Sequence, residues 1–239
     1  MRLEDSNFDV DEGCRYCNLR YKTVFADLNE LEVNLLSTVK KCMQIKKGQV
    51  VFKENTLPRG LMCIRHGKYK LSRIGSDNKE QIVHLAQSGD IMGFRAILSN
   101  TKYNCTATAM EDSVLCFIPR DTFSSMVLDS SKLANRILGL FSDMLKDTEI
   151  KLTVLGQNSV KERLIFSLSI LIDKYGFEID GCTINLAVRR QELADMAGTT
   201  RETATRILFE LEEEKVIRIM GRKIVITNYP YLLKTAHIS

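Results

Sequence analysis

Several chemistries are missing from this chain of 239 residues. It holds no nucleophile elbow, no P-loop, no metalloprotease helix and no glycine-rich dinucleotide turn, so nothing in it points to an enzyme. No uncharged apolar stretch reaches the roughly 18 residues that a membrane span needs. The opening residues MRLEDSNFDVDEG are polar and acidic, the opposite of a secretory signal. Those two absences predict a cytoplasmic protein without a membrane partner. Only three histidines occur, His66, His84 and His237, and they have no ligand spacing among themselves; His84 reads as an ordinary strand residue. Proline is scarce, at three residues, and hydrophobic and charged contents of 44% and 27% exclude a collagen-like repeat and wholesale disorder.

Cysteine is present, but not as a disulfide framework. The seven thiols are an odd number in a chain with no export signal, so reduced cysteines are expected. Cys63, Cys105, Cys116 and Cys182 sit singly in apolar runs and read as small buried hydrophobes. Cys14 and Cys17 form C-x-x-C in a Gly-led, Arg- and Tyr-rich segment with no apolar period. Net charge is +4. Residues 1–12 carry one Arg against five acids, so the body from residue 13 onward carries +8, a balance that suits an anionic partner.

Glycine divides the chain. Six of the thirteen glycines fall within residues 48–93, separating short β-type runs: QVVFK, LMCIR, KYKLSR and QIVHLA, with CTATAM and SVLCFIP after them. Strands this short, with turn signals every 8–12 residues, predict an antiparallel sandwich or roll. Ahead of them Leu28, Leu31, Leu35 and Val39 have helical spacing over 28–41. Beyond Pro119 the character changes. Leu133, Ile137, Leu140, Met144, Thr148, Leu152 and Leu155 recur every 3.7 residues on average, which predicts a nearly straight helix about 40 Å long over 130–156. A second stripe of Leu138, Phe141 and Leu145 flanks the first, so one can cover the roll while the other meets something else. We take Leu133 to Leu155 as the expected dimer seam, a core helix being the alternative.

Ser159-x-x-Glu162 is a capping box opening the next helix, which stops at Gly176. Two shorter helical runs follow, RRQELADMAG and TTRETATRILFELEEEKV, then a hairpin IRIM-GRK-IVITN turning at Gly221. Two helices joined by a tight turn with Gly198 predict a helix-turn-helix. In that geometry the second helix presents its N-terminal residues to base edges in the major groove. Those residues are Thr199, Thr200, Arg201, Glu202, Thr203, Thr205 and Arg206, while Ile207, Leu208 and Leu211 face inward. Arg222 and Lys223 at the hairpin turn, with Arg190 at the start of the first helix, are candidate phosphate contacts. The plainer reading is that Thr199-x-x-Glu202 is only a capping box and Glu202–Arg206 only a surface i, i+4 pair.

The segment RQELADMAGTTRETATRIL…GRKIVI resembles the winged helix-turn-helix of the Crp/Fnr family, and the resemblance extends over nearly the whole chain. Its most specific element is R-E-T-x-x-R (Arg201, Glu202, Thr203, Arg206). It implies an α+β protein: an N-terminal segment (1–24), a cyclic-nucleotide-binding-like antiparallel β-roll (25–129), a dimerisation helix (130–156) and a winged helix-turn-helix (157–239). It also implies a homodimeric bacterial transcription regulator whose partners are double-stranded DNA, a second copy of itself and RNA polymerase. Half-sites nearer TTGA than TGTGA are expected, because Thr205 stands where the Fnr branch has Ser.

Departures from the family narrow the signal. Cyclic-AMP-binding members carry a Glu after the cassette glycine and an Arg-Ser pair further on. Here those places hold Phe94 and Asn104-Cys105, so a cyclic phosphodiester has no bidentate partner, and Arg95 is the nearest cation. Cyclic AMP is therefore not expected as a ligand. Cys14, Cys17 and Cys116 fall where three of the Fnr branch's four cluster ligands lie, and the fourth position is Thr23. Four thiolates are the usual requirement of an iron–sulfur cluster. An iron–sulfur cluster, a thiol redox pair and an inherited scaffold all stay open, as does a chain whose primary activity is cofactor binding.

Overall fold

The computed structural model describes residues 13–75 and 77–236. The acidic N-terminal segment 1–12 and His237 lie outside the described residues. The chain divides into two compact units, Met1–Leu71 with Leu85–Ser142, and Ser72–His84 with Asp143–Ser239.

The first unit begins with two short 3-10 turns, Cys14–Tyr16 and Arg20–Lys22, and helix α1, Glu30–Val39. Asn29 and Glu32 close a reciprocal capping box: Glu32 N–H donates to Asn29 Oδ1 (3.0 Å) and Asn29 N–H to Glu32 Oε2 (2.7 Å). The helix buries Val33 and Leu36, whereas Leu31 and Leu35 of the expected stripe are 81% and 46% exposed. Two apolar edges compete in this short helix. The one holding Leu36, worth about 2 kcal/mol when fully buried, is turned inward.

The predicted roll is present as two four-stranded antiparallel sheets. One has the order β1 (Lys41–Ile45), β8 (Ser113–Pro119), β3 (Gly60–His66), β6 (Ile91–Met92). The other runs β2 (Val50–Phe52), β7 (Thr106–Ala109), β4 (Lys68–Ile74), β5 (Glu80–Gln87). Their inner faces share a core that includes Phe52, Ile64, Tyr69, Met92, Tyr103 and Leu115. Gly60 is required where β3 passes β8, since a Cβ there would lie 2.2 Å from the Ile118 carbonyl oxygen. A short helix α2 (Phe94–Leu98) follows Gly93, and α3 (Arg120–Asp129) leads out of β8; neither is legible as a period in the sequence.

Helix α4 runs Ser131–Gln157, one residue off the expected bounds at each end. In the second unit, α5 (Val160–Tyr175) carries the predicted Ser159/Glu162 box and ends at Gly176. Leu164, Leu168 and Leu171 form its buried edge. Helices α6 (Arg190–Ala197) and α7 (Arg201–Glu213), the antiparallel hairpin β9 (Ile217–Met220) and β10 (Lys223–Ile226), and α8 (Tyr229–Thr235) complete the unit. Among the described residues no helix is long and apolar enough to cross a membrane.

Candidate nucleic-acid interface

The turn between α6 and α7 is built by three devices. Gly198 takes the left-handed conformation (φ 63°, ψ 49°) that ends α6, and the Thr199 N–H returns to the Ala194 carbonyl at 3.0 Å. Arg163 on α5 donates through Nε to the Ala197 carbonyl at 2.8 Å and through Nη2 to Gly198 at 3.4 Å, satisfying carbonyls that the helix end leaves open. Sequence reasoning missed Arg163, whose only local signal is a cation within a capped first turn. Thr200 is the N-cap of α7, its Oγ1 accepting from the Thr203 N–H at 3.2 Å. The cap is thus Thr200 with Thr203, one residue beyond the expected Thr199 with Glu202.

That shift leaves Glu202 uncommitted: among the described residues no hydrogen bond or ion pair holds its side chain. Arg201, Glu202 and Arg206 are exposed, Thr203 and Thr205 are half-buried, and Ala204, Ile207, Leu208 and Leu211 are buried. The polar and apolar edges of α7 therefore separate as the sequence pattern requires. Arg206 pairs with Glu210, one turn onward, rather than with Glu202. The Thr205 hydroxyl donates to the Arg201 carbonyl at 2.7 Å.

The hairpin is fixed to the same helices. Ile219 N–H donates to Glu212 Oε1 of α7 at 2.6 Å, and Arg190 of α6 donates to the Gly221 carbonyl at 3.3 Å. Arg190 is accordingly half-buried and braces the hairpin turn. Arg222 is exposed at that turn, and Lys223 forms an ion pair with Glu178 at 2.8 Å. Several cations, a helix N-terminus and an exposed polar edge occur within one small unit, and this combination accommodates a polyanion.

On α4, Leu133 and Ile137 are 1% and 2% exposed within the single chain, so they belong to the protomer's own core. Leu140 and Met144 are half-buried, Thr148 is exposed, and Leu138, Leu145, Leu152 and Leu155 are exposed apolar residues. The apolar face left open is thus Leu138, Leu145 and Leu152 at seven-residue spacing, with Leu155. It is displaced from the expected stripe by one position at its N-terminal half.

At the cassette positions the side chains pack within the protein. Phe94 is 4% exposed and packs edge-on to Phe141, with ring centroids 5.1 Å apart; Phe52 stacks on Tyr103 at 4.0 Å; and Cys105 is buried beside them. Arg95 points to the exposed side of α2.

The thiols converge more than their sequence spacing suggests. Cys14, Cys17, Cys63 and Cys116 line one cavity together with Thr23, Arg20, Lys40 and Arg65. Strand pairing puts Cys116 of β8 directly opposite Cys42 of β1 on one side and Cys63 of β3 on the other. The Cys42 and Cys116 sulfurs are 2.6 Å apart. The shared hydrogen bond, with Lys40 and Arg65 nearby, holds the Cys42 thiol down to about 6, against burial; it pushes the Cys116 thiol up. Burial pushes Cys63 and Cys14 up as well.

This donor set does not match the cluster site that the resemblance implies. The Thr23 hydroxyl is used locally, donating to the Arg20 carbonyl at 2.8 Å and accepting from the Phe25 N–H at 3.1 Å. Cys116 is engaged with Cys42. Among the described residues no group of three or more ligating side chains is arranged to hold a metal ion. Cys42 and Cys63 are the thiols that sequence reasoning did not single out for this cluster, because only strand register brings them there.

A roll followed by a long helix and a winged helix-turn-helix defines a DNA-binding transcriptional regulator. The sequence pattern of the cyclic nucleotide-binding domain matches residues 42–130, and that of the Crp-like helix-turn-helix domain matches residues 162–235. The fumarate and nitrate reduction regulatory protein of Yersinia pestis is 30% identical over 239 residues, covering 98% of this chain and 94% of that one. The protein of the same name from Vibrio cholerae is 28% identical over 230 residues, covering 95% and 91%. The structure of FixK2 from Bradyrhizobium japonicum superposes with a TM-score of 0.73 at 21% identity, covering 82% of this chain and 97% of that one. The chain belongs to the Crp/Fnr family of transcriptional regulators.

Proposed function

We propose that this regulator is a cytoplasmic homodimer that reads a palindrome with TTGA-like half-sites, acts with RNA polymerase, and takes its signal in the N-terminal roll. The observation that carries the reading is the outward edge of α7, where Arg201, Glu202, Thr205 and Arg206 stand opposite a buried Ala204–Ile207–Leu208–Leu211 edge. Arg206 has the fork for O6 and N7 of a guanine, Glu202 accepts from a cytosine N4, and the Thr205 methyl contacts a thymine. Thr199, Thr200, Arg201 and Thr203 position the helix start, and Arg222 and Lys223 meet phosphates, with Arg190 bracing the turn that bears them.

A second copy meets this chain along Leu138, Leu145, Leu152 and Leu155 of α4, supported by their exposure and seven-residue spacing. The two α7 helices of such a dimer, placed one DNA turn apart, require half-site centres about 10–11 bp apart. Binding-site selection from random DNA tests this. Enrichment of an inverted TTGA-like repeat is the expected result, and enrichment of a single unrepeated site, or of none, overturns it.

A further inference from the structure

We propose that Cys42 and Cys116 are a peroxide-responsive dithiol that closes into a cross-strand disulfide within one chain. The two residues are directly opposite in the antiparallel β1–β8 pair, and their sulfurs already touch at 2.6 Å. Directly opposed residues in such a pair have Cα atoms about 4.5–5.5 Å apart, inside the span of about 4.4–6.8 Å that a disulfide accepts. The bond therefore forms without moving the strands. Both residues are only partly buried, so a small oxidant reaches them. Lys40 and Arg65 line the same cavity as Cys116, and cations beside a thiol pair favour the thiolate needed for attack.

The C-x-x-C motif is the pair that the sequence puts forward, yet no sulfur contact joins Cys14 to Cys17 among the described residues. Cys63 also faces Cys116 from β3. No sulfur contact joins that pair among the described residues, whereas Cys42 and Cys116 are in contact.

The chemistry balances with one hydroperoxide. The Cys42 thiolate attacks a peroxide oxygen, an S–O bond forms, the O–O bond breaks, and the leaving oxygen departs as water after taking up a proton. The Cys116 sulfur then attacks the Cys42 sulfur. An S–S bond forms, the S–O bond breaks, and a second water carries off the thiol proton and the hydroxyl. Two thiols are oxidised by two electrons in all, and one hydrogen peroxide is reduced to two waters. This goes beyond the DNA-reading function and rests on it only for any effect on transcription, since the disulfide is observable without DNA.

The test uses the full chain, reduced anaerobically, exposed to hydrogen peroxide, alkylated and mapped by mass spectrometry. Alkylatable thiols should fall from seven to five, with a Cys42–Cys116 cross-linked peptide that dithiothreitol reverses. Cys42→Ser should keep its remaining thiols alkylatable, and Cys116→Ser should leave Cys42 trapped by dimedone. Should either variant fail to fold, the wild-type peptide map still decides. A peroxide-induced Cys14–Cys17 or Cys63–Cys116 link in place of the expected one overturns the inference. So does no link at all, or iron and sulfide in anaerobically isolated protein that shield Cys116 from alkylation. A chain that forms this disulfide but selects no inverted repeat leaves the inference intact and overturns the DNA reading instead.

Discussion

Glu210 holds the guanidinium of Arg206 one helical turn further along α7. Reaching a base requires that pair to open. Exposed i, i+4 pairs are worth about 0.3–0.5 kcal/mol, so Glu210→Gln should raise DNA affinity by about twofold without altering sequence preference. Arg206→Ala should cost about 1–3 kcal/mol and relax the preference at one base pair. Titrations against the selected site and against its guanine variants separate the two effects. Unchanged preference in Arg206→Ala refutes its role in base reading.

The open face of α4 makes a separate prediction. Leu145→Asp places a charge in the proposed seam, at a cost of several kcal/mol, and should give a monomer in sedimentation at micromolar concentration. Leu133→Ala, by contrast, removes a side chain from the protomer's own core. It should lower stability by about 2–5 kcal/mol in a denaturant melt while the protein still dimerises below the transition. A Leu145→Asp protein that sediments as a dimer places the seam elsewhere.

At the hairpin, Arg222 is exposed whereas Lys223 is paired with Glu178. Losing one phosphate contact should reduce the slope of log affinity against log salt by about 0.9. Arg222→Ala is expected to show that full reduction on specific and random DNA alike, and Lys223→Ala a smaller one. The measurement is a salt series by fluorescence anisotropy. An Arg222→Ala slope equal to wild type removes the hairpin from the interface.

Cyclic AMP should produce no binding heat at micromolar concentration. Phe94 is buried against Phe141, and Asn104-Cys105 offers no guanidinium where a cyclic phosphate would need one. Arg95 is the exposed cation adjoining Phe94, so a positive calorimetric signal abolished by Arg95→Ala would reverse this conclusion.

Local grammar made much of this legible in the sequence. The Ser159/Glu162 box, Gly198 as a helix stop, the inward Ile207–Leu208–Leu211 edge and the roll's strands each depend on residues a few positions apart, and each is found in the structure. Where two local solutions compete, sequence could not choose. Thr199 and Thr200 are equally good caps, and the turn at Gly198 selected Thr200. Helix α1 has two apolar edges, and docking selected Val33 and Leu36 over Leu31 and Leu35. The same holds on α4, where Leu133 and Ile137 were claimed by the protomer's interior. The meeting of Cys42, Cys116 and Cys63 is of another kind, since it depends on the register of strands far apart in the chain, which no local pattern encodes.

Cys42 and Cys116 are 74 positions apart. A covalent link between them would tie a loop of that length, removing loop-closure freedom from the unfolded ensemble worth about 4.5 kcal/mol in the chain-entropy description. An oxidised molecule would thus be harder to unfold than the reduced one that preceded it. Chemical exposure would be written into the lifetime of the protein, and the cell would carry a record of past oxidant until a reductant erased it.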